Sequence, residues 1–330
     1  MPEWLYEEGI GENRAALVDD GRILEAAIEL PGSLHVGSVV SGRLMSILIP
    51  GRRGIVRLAT GTEVLVEPLP AALTEGAATQ VEILRDAIFE PGRSKGPKGR
   101  ISEDEEREGP ALLQRLEASG VPIVTLRSGP PDRLEAAGWS ELLEEALTGE
   151  IAFPGGGLRM SLTPAMTLFD VDGALPPAAL AIAGAEAAGR AIRRLGIGGS
   201  IGIDLPTLTA RADRQAAAAA LDAVLPQPFE RTAVNGFGFL QVVRRRTRSS
   251  IAELLQGDPV GGATRALLRQ AERASGSGIR TITAASRVIA RIEAEPQWIQ
   301  LLERRIGAAV RLQAQEGLAI SSGHVHSQFP

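Results

Sequence analysis

Short runs in which apolar and polar residues alternate, broken by glycine or proline at roughly 8–12-residue intervals, dominate the first hundred positions. Glu12 to Leu24 reads as two strands around Asp20-Gly21, the strongest short-range hairpin signal, so residues 1–35 are expected to form a hairpin packed on a core. Val36–Leu48, Gly54–Leu58, Glu63–Pro68 and Thr79–Leu84 follow as further strands, and their spacing predicts a small barrel over residues 36–102. Within it, Glu90–Arg100 carries cations at Arg93, Lys95, Lys98 and Arg100 with no apolar side chain to bury, and is expected to be a loop. Residues 103–149 begin with a solvated charge run. They continue as two helices, near Ala111–Ser119 and Trp139–Leu147, around a strand at Val121–Leu126, a segment too small to stand alone.

From residue 150 to 248 the period changes. Leu158–Met160 and Ala165–Val171 read as paired strands after the turn Gly155–Gly157, and Pro177–Leu195 is alanine-rich with helical spacing. Ser200–Leu205 reads as a buried strand, Arg211–Val224 as a helix, and Phe229–Val234 with Gly238–Val243 as a last strand pair. Strand, helix and strand in succession imply a right-handed crossover between two parallel strands. Residues 249–318 read as a small α/β module: helices at Thr264–Ala274, Ser286–Ala294 and Glu295–Ile306, strands at Ile279–Thr283 and Ala308–Gln313. The polar tail, 319–330, is expected to be disordered. The fold class is therefore α/β in the multi-module, α+β sense: a barrel beside a mixed core, with a small C-terminal module.

Composition narrows the chemistry. The 330 residues suffice for two or three modules. Zero cysteines exclude disulfides, a thiol nucleophile and thiolate metal sites. No apolar run approaches the roughly 20 residues of a membrane helix. The acidic start, MPEWLYEEG, is unlike a secretory leader, so a cytoplasmic protein with no membrane partner is expected. A net charge of −5 excludes a globally basic nucleic-acid binder and leaves room for local basic patches.

Asp170 ends Thr167-Leu168-Phe169 and precedes Val171-Asp172; Asp204 ends Ser200-Ile201-Gly202-Ile203. If both runs are strands joined by one crossover helix, both acids stand at carboxyl ends of neighbouring parallel strands, where functional groups of open α/β sheets collect. An oxygen-only ligand set suits Mg²⁺ or Mn²⁺, which activates water and neutralises a phosphoryl oxygen. An Asp after a strand equally serves as an N-cap, and Asp204-Leu205-Pro206 fits that pattern. Arg244, Arg245, Arg246 and Arg248 either clamp phosphates or form a solvated turn, and the same two readings apply to Lys95, Lys98 and Arg100. Gly196–Gly202 precedes a strand instead of linking one to a helix, so it lacks the geometry of a dinucleotide loop. The tail histidines, His324 and His326, supply at most two of the four ligands of a structural zinc site, so no zinc is expected.

Four stretches, in order, resemble the bacterial ribonuclease E/G family. ENRAALVDDGRILEAAIE is similar to its first hairpin, and TGEIAFPGGGLRMSLTPAMTLFDVDG to its glycine-rich hairpin and the strand that follows. EAAGRAIRRLGIGGSIGIDLPTL is similar to the next helix and strand, and VNGFGFLQVVRRR to a further strand of that family. The resemblance implies that Asp170 and Asp204 are magnesium ligands, that Asp172 stands where the family has an orienting asparagine, and that single-stranded RNA is cut to 5′-phosphate and 3′-hydroxyl ends. It also implies that residues 36–102 are a shortened S1 barrel, with Lys98-Gly99-Arg100 in its RNA-contacting loop, and that Arg127-Ser128 matches a 5′-phosphate sensor. The chain departs from the family in that much of the ribonuclease-H-like subdomain is missing, and in three further respects. The barrel run GRRGIVRL lacks stacking aromatics, the zinc-link cysteines are absent, and Asp172 adds a charge. Two functions are thus expected: an endoribonuclease in RNA processing or decay, or an RNA- or partner-binding paralogue with weakened catalysis. Another Mg²⁺-dependent phosphoryl-transfer enzyme is a third. Any homo-oligomer would not be zinc-linked.

Overall fold

The computed structural model describes residues 1–90, 92, 94–127, 129 and 131–329. Strands β1 (Glu3–Glu8), β2 (Asn13–Asp19) and β3 (Arg22–Glu29) run antiparallel. Asp20 and Gly21 both take positive φ (48° and 69°), the backbone a tight hairpin turn between twisted strands requires. β1 escapes a pattern search because both of its faces are covered: Leu5 enters the main core, while Trp4 and Tyr6 pack with Ala15, Leu17 and Leu112.

Strands β4 (Val39–Ile49), β5 (Arg53–Leu58), β6 (Glu63–Val66), β7 (Ala78–Arg85) and β8 (Lys98–Ser102) close a barrel in the order β4-β5-β6-β8-β7. It encloses Leu44, Val56, Val64, Val66, Val81 and Ile83. The expected loop at Glu90–Arg100 is corrected here, since Lys98 to Arg100 belong to the closing strand, parallel to β6 and antiparallel to β7. Gly99 points inward, where a Cβ would sit 2.5 Å from Val81 Cγ1. Its cationic neighbours face outward onto acids: Lys98 onto Glu67 at 3.0 Å and Arg100 onto Glu82 at 2.6 Å. A strand flanked by charges and centred on glycine carries no apolar alternation.

The hydrogen bond from Lys98, then that from Arg53, holds the Glu67 carboxyl down to about 2. A depressed carboxyl adds stability above its ordinary value of 4.5, and the contribution is lost as pH falls from there toward about 2. Glu67→Gln should therefore lower the urea midpoint near neutrality and flatten its decline on the acid side. An unchanged acid profile would remove this role from Glu67.

Helix α1 (Leu112–Glu117), strand β9 (Ile123–Leu126) and helices α2 (Arg133–Ala136) and α3 (Trp139–Thr148) follow. β9 pairs parallel with β1, so this segment completes the sheet β3-β2-β1-β9.

The second sheet is built from β10 (Glu150–Phe153), β11 (Gly156–Leu162), β12 (Thr167–Gly173), β13 (Gly199–Asp204), β14 (Glu230–Arg231) and β15 (Phe239–Arg244), in the order β10-β11-β12-β13-β15-β14. Helix α4 (Pro177–Arg194) makes the crossover from β12 to the parallel β13, and α5 (Arg211–Val224) leads to β14. Helix α4 uses glycine to approach both the sheet and α5 closely. Gly184 lies so near Val171 that a Cβ would fall 2.4 Å from its Cγ1, and a Cβ on Gly189 would reach 2.7 Å from Val224 on α5. Phe169, Val171, Ile201, Ile203, Leu240 and Val242 are buried with α4 residues Ala181, Ala185, Ala188 and Ile192 in the main core.

Helix α6 (Ile251–Gly257), not expected from the pattern, also packs on this core through Ile251, Ala252, Leu254 and Leu255. Its start is fixed by a capping box between Ser250 and Glu253. Helix α7 (Pro259–Arg273), strand β16 (Ser277–Ala284), helices α8 (Ser286–Glu293) and α9 (Pro296–Ile306), and strands β17 (Val310–Ala314) and β18 (His324–Phe329) form the C-terminal module. Its sheet has the order β17-β16-β18. The tail expected to be disordered is thus corrected: residues 324–329 are a strand antiparallel to β16. Buried Arg280 anchors it, donating to the carbonyls of Ala274 and Ser275 and to the Ser327 hydroxyl. Among the described residues, no helix is long and apolar enough to cross a membrane.

Candidate metal centre on the uncovered face of the second sheet

Strand alternation sorts β12 into two faces. Thr167, Phe169 and Val171 are buried toward the helices, while Asp170 and Asp172 are exposed on the opposite face. On β13, Ile201 and Ile203 are buried and Asp204 is exposed. β12 and β13 are parallel with Asp170 opposite Asp204, so the two carboxylates share one face on strands about 4.8 Å apart. The register extends across five strands as Glu150, Arg159, Asp170, Asp204 and Phe239. Arg159, although opposite Asp170, pairs with Glu150 at 3.2 Å and leaves the Asp170 carboxylate unneutralised by it.

Two expectations change. Only Asp204 ends a strand; Asp170 stands in the middle of β12, which continues to Gly173 because β11 pairs with it that far. The pair therefore projects from the sheet face, not into a crevice at its edge. The N-cap reading also falls, because α5 starts at Arg211 with Ala210 as its cap residue and α4 is preceded by Pro176. Asp172 lies two residues along β12, roughly 6.6 Å away, opposite Gly157. Among the described residues no group of three or more His, Asp or Glu gathers to hold a metal. Two accessible carboxylates with oxygen donors alone fit a hydrated Mg²⁺ or Mn²⁺, which commonly takes one or two carboxylates and fills its shell with water and phosphate oxygens.

The basic residues are distributed differently from expectation. Lys95 pairs with Glu90 at 2.6 Å, and Lys98 and Arg100 face Glu67 and Glu82. Arg244, its pKa lowered by burial, donates to the Ile197 carbonyl at 3.1 Å. Arg246 binds Glu253 and reaches Glu90 at 3.5 Å, and Arg245 is exposed. Arg248 lines a separate recess of about 250 Å³ with His35 and Arg115. The Arg244–Arg248 segment thus presents no single cationic surface: alternate residues point to opposite sides of the chain as it leaves β15. Arg127 is exposed after β9 on the first sheet, and Ser128 and Arg93 lie outside the described residues.

Lys95 and Arg246 do meet, with Arg85, in a cleft of about 890 Å³ between the barrel and the second sheet. Ser200 also lines it. Ser200, Gly202 and Asp204 share the uncovered face of β13, so the cleft lies roughly 13 Å along that strand from the carboxylate pair. Arg85 was not singled out from the sequence, where it is one cation inside an ordinary strand pattern. Phe239, in register with Asp204, was also missed; its signal is the Phe-Gly-Phe alternation in VNGFGFL.

No family model matches the chain, and no curated protein matches it.

Proposed function

We propose that this chain is a Mg²⁺- or Mn²⁺-dependent endoribonuclease of the ribonuclease E/G kind, cutting single-stranded RNA during RNA processing or decay in the cytoplasm. The observation that carries the reading is the pair Asp170 and Asp204, in register on parallel neighbours joined by one crossover helix and exposed on a face that, among the described residues, no helix covers. These two residues hold the ion. When bound, it supplies an activated water and charge neutralisation at a scissile phosphate. The chain's own groups do the rest. Arg85, Lys95 and Arg246 line a cleft between barrel and sheet together with Glu63, Glu90 and Glu253, so an entering polyanion has to take Lys95 and Arg246 from the carboxylates they pair with, and the uncovered row of β13 leads from there to Asp204. Backbone phosphates in such a path favour binding of any sequence and make it fall with salt.

The test is cleavage of a short A/U-rich single-stranded RNA by the purified protein with Mg²⁺, abolished by EDTA, with 5′-phosphate and 3′-hydroxyl product ends. Tight binding without cleavage would instead assign the chain to the RNA-binding, catalytically weakened alternative. Neither binding nor cleavage would end both readings.

A further inference from the structure

The carboxylate pair with its proposed ion would meet a phosphate and not a base, and the barrel run Gly51–Leu58 contains no aromatic residue. Two phenylalanines stand on β15 and the turn that precedes it instead. Phe239 is the register partner of Asp204, and its ring crosses Gly202, where an added Cβ would come within 2.6 Å of Cζ. Phe237 is 83% exposed, in a chain with only seven phenylalanines.

That exposure is built, not incidental to a loose loop. The Asn235 side-chain oxygen accepts from the Phe237 N–H at 2.9 Å and from the Phe239 N–H at 3.0 Å. The Gly238 N–H donates to the Asn235 carbonyl at 3.2 Å, and the Gly238 carbonyl accepts from the Leu205 N–H at 3.2 Å. Gly238 has φ of 93°, and a Cβ there would lie 2.1 Å from the Leu205 oxygen, so only glycine fits. The turn is bonded to the residue that directly follows Asp204, which fixes the Phe237 backbone at that end of β13 while its side chain stays in solvent.

The geometry points to Phe237 as a stacking platform for one unpaired base of single-stranded RNA, on the same sheet as the carboxylates proposed to hold the ion; this rests on the proposed endoribonuclease function. A projecting ring can meet an unstacked base, whereas bases inside a duplex are closed to it. Every base has a π-face, so the contact supplies affinity without sequence preference.

The test compares affinities in EDTA, by fluorescence anisotropy, for a 12-nucleotide A/U-rich RNA and for a ribose-phosphate strand of equal length without bases. Wild-type protein should favour the RNA. Phe237→Ala and Phe237→Leu should weaken RNA binding by about tenfold and leave the base-free strand unaffected, while Phe237→Trp should retain wild-type affinity. Equal affinity of the wild type for both strands, or an unchanged preference in Phe237→Ala while RNA is still bound and cleaved, would overturn the platform and leave the endoribonuclease reading intact. A wild-type protein that neither binds nor cleaves RNA would remove the proposed function, and the platform with it.

Discussion

Asp170→Asn and Asp204→Asn should each lower RNA cleavage by about a thousandfold, some 4 kcal/mol of barrier, while leaving RNA affinity unchanged or slightly raised. Each substitution is nearly isosteric at an exposed position, so the fold is not at stake. What is lost is half of the charge that retains a strongly hydrated ion on an open sheet face. One remaining carboxylate competes poorly with water for Mg²⁺. The double variant should be no worse than either single one, because both residues serve one ion and their effects are not additive. Mn²⁺ binding, followed by electron paramagnetic resonance, should weaken in parallel with activity. Asp172→Asn should preserve or raise activity, since Asp172 lies off the pair and removing its charge eases the approach of a phosphate. Near-normal cleavage by Asp204→Asn would defeat the metal assignment, because no N-cap role remains to explain a conserved fold with a silent carboxylate.

The carboxylate pair was legible because its signal is local on each strand and the crossover rule supplies the rest. Phe169-Asp170 and Ile203-Asp204 each end an apolar stretch, and an intervening helix with clear period forces parallel adjacency. Elements that satisfy themselves through charge were not legible. β8 reads Lys-Gly-Arg-Ile-Ser, and its place in the barrel depends on Glu67 and Glu82, distant in sequence. β18 reads as a polar tail because the group that anchors it, Arg280, sits on another strand and is itself buried. The same holds for the basic cluster. A run of arginines signals charge, but whether the charge is free depends on carboxylates such as Glu253 and Glu90 that only folding brings near. Glu12-Asn13-Arg14 was visible as a motif, yet its partners on α7 were not.

Arg14→Met should cost about 3–5 kcal/mol of folding stability, the largest loss expected from any single side chain outside the apolar core. Arg14 is fully buried on β2, with its guanidinium 2.7 Å from Glu7 and 3.1 Å from Glu12. Both acids are themselves buried and are shared with α7: Arg265 meets Glu12 at 2.9 Å, and Arg273 binds Glu7 and reaches Asp132 at 2.7 Å. Arg269 joins the same group, 2.6 Å from Asp132. The network therefore ties the first hairpin, the cap of α2 and the C-terminal module together, beside the turn where Gly11 packs under the Trp298 ring. A charge removed from water is tolerated only while its partners remain, so deleting Arg14 leaves Glu7 and Glu12 desolvated with one cation fewer between them. The α7 arginines keep the loss from being larger. Arg57→Met, which breaks an exposed pair with Glu63 on the barrel, is the control and should cost less than about 1 kcal/mol. Urea unfolding should show the Arg14→Met midpoint falling with an unchanged slope and the control barely moving. Equal shifts in the two variants would mean that this network contributes no more than a surface ion pair.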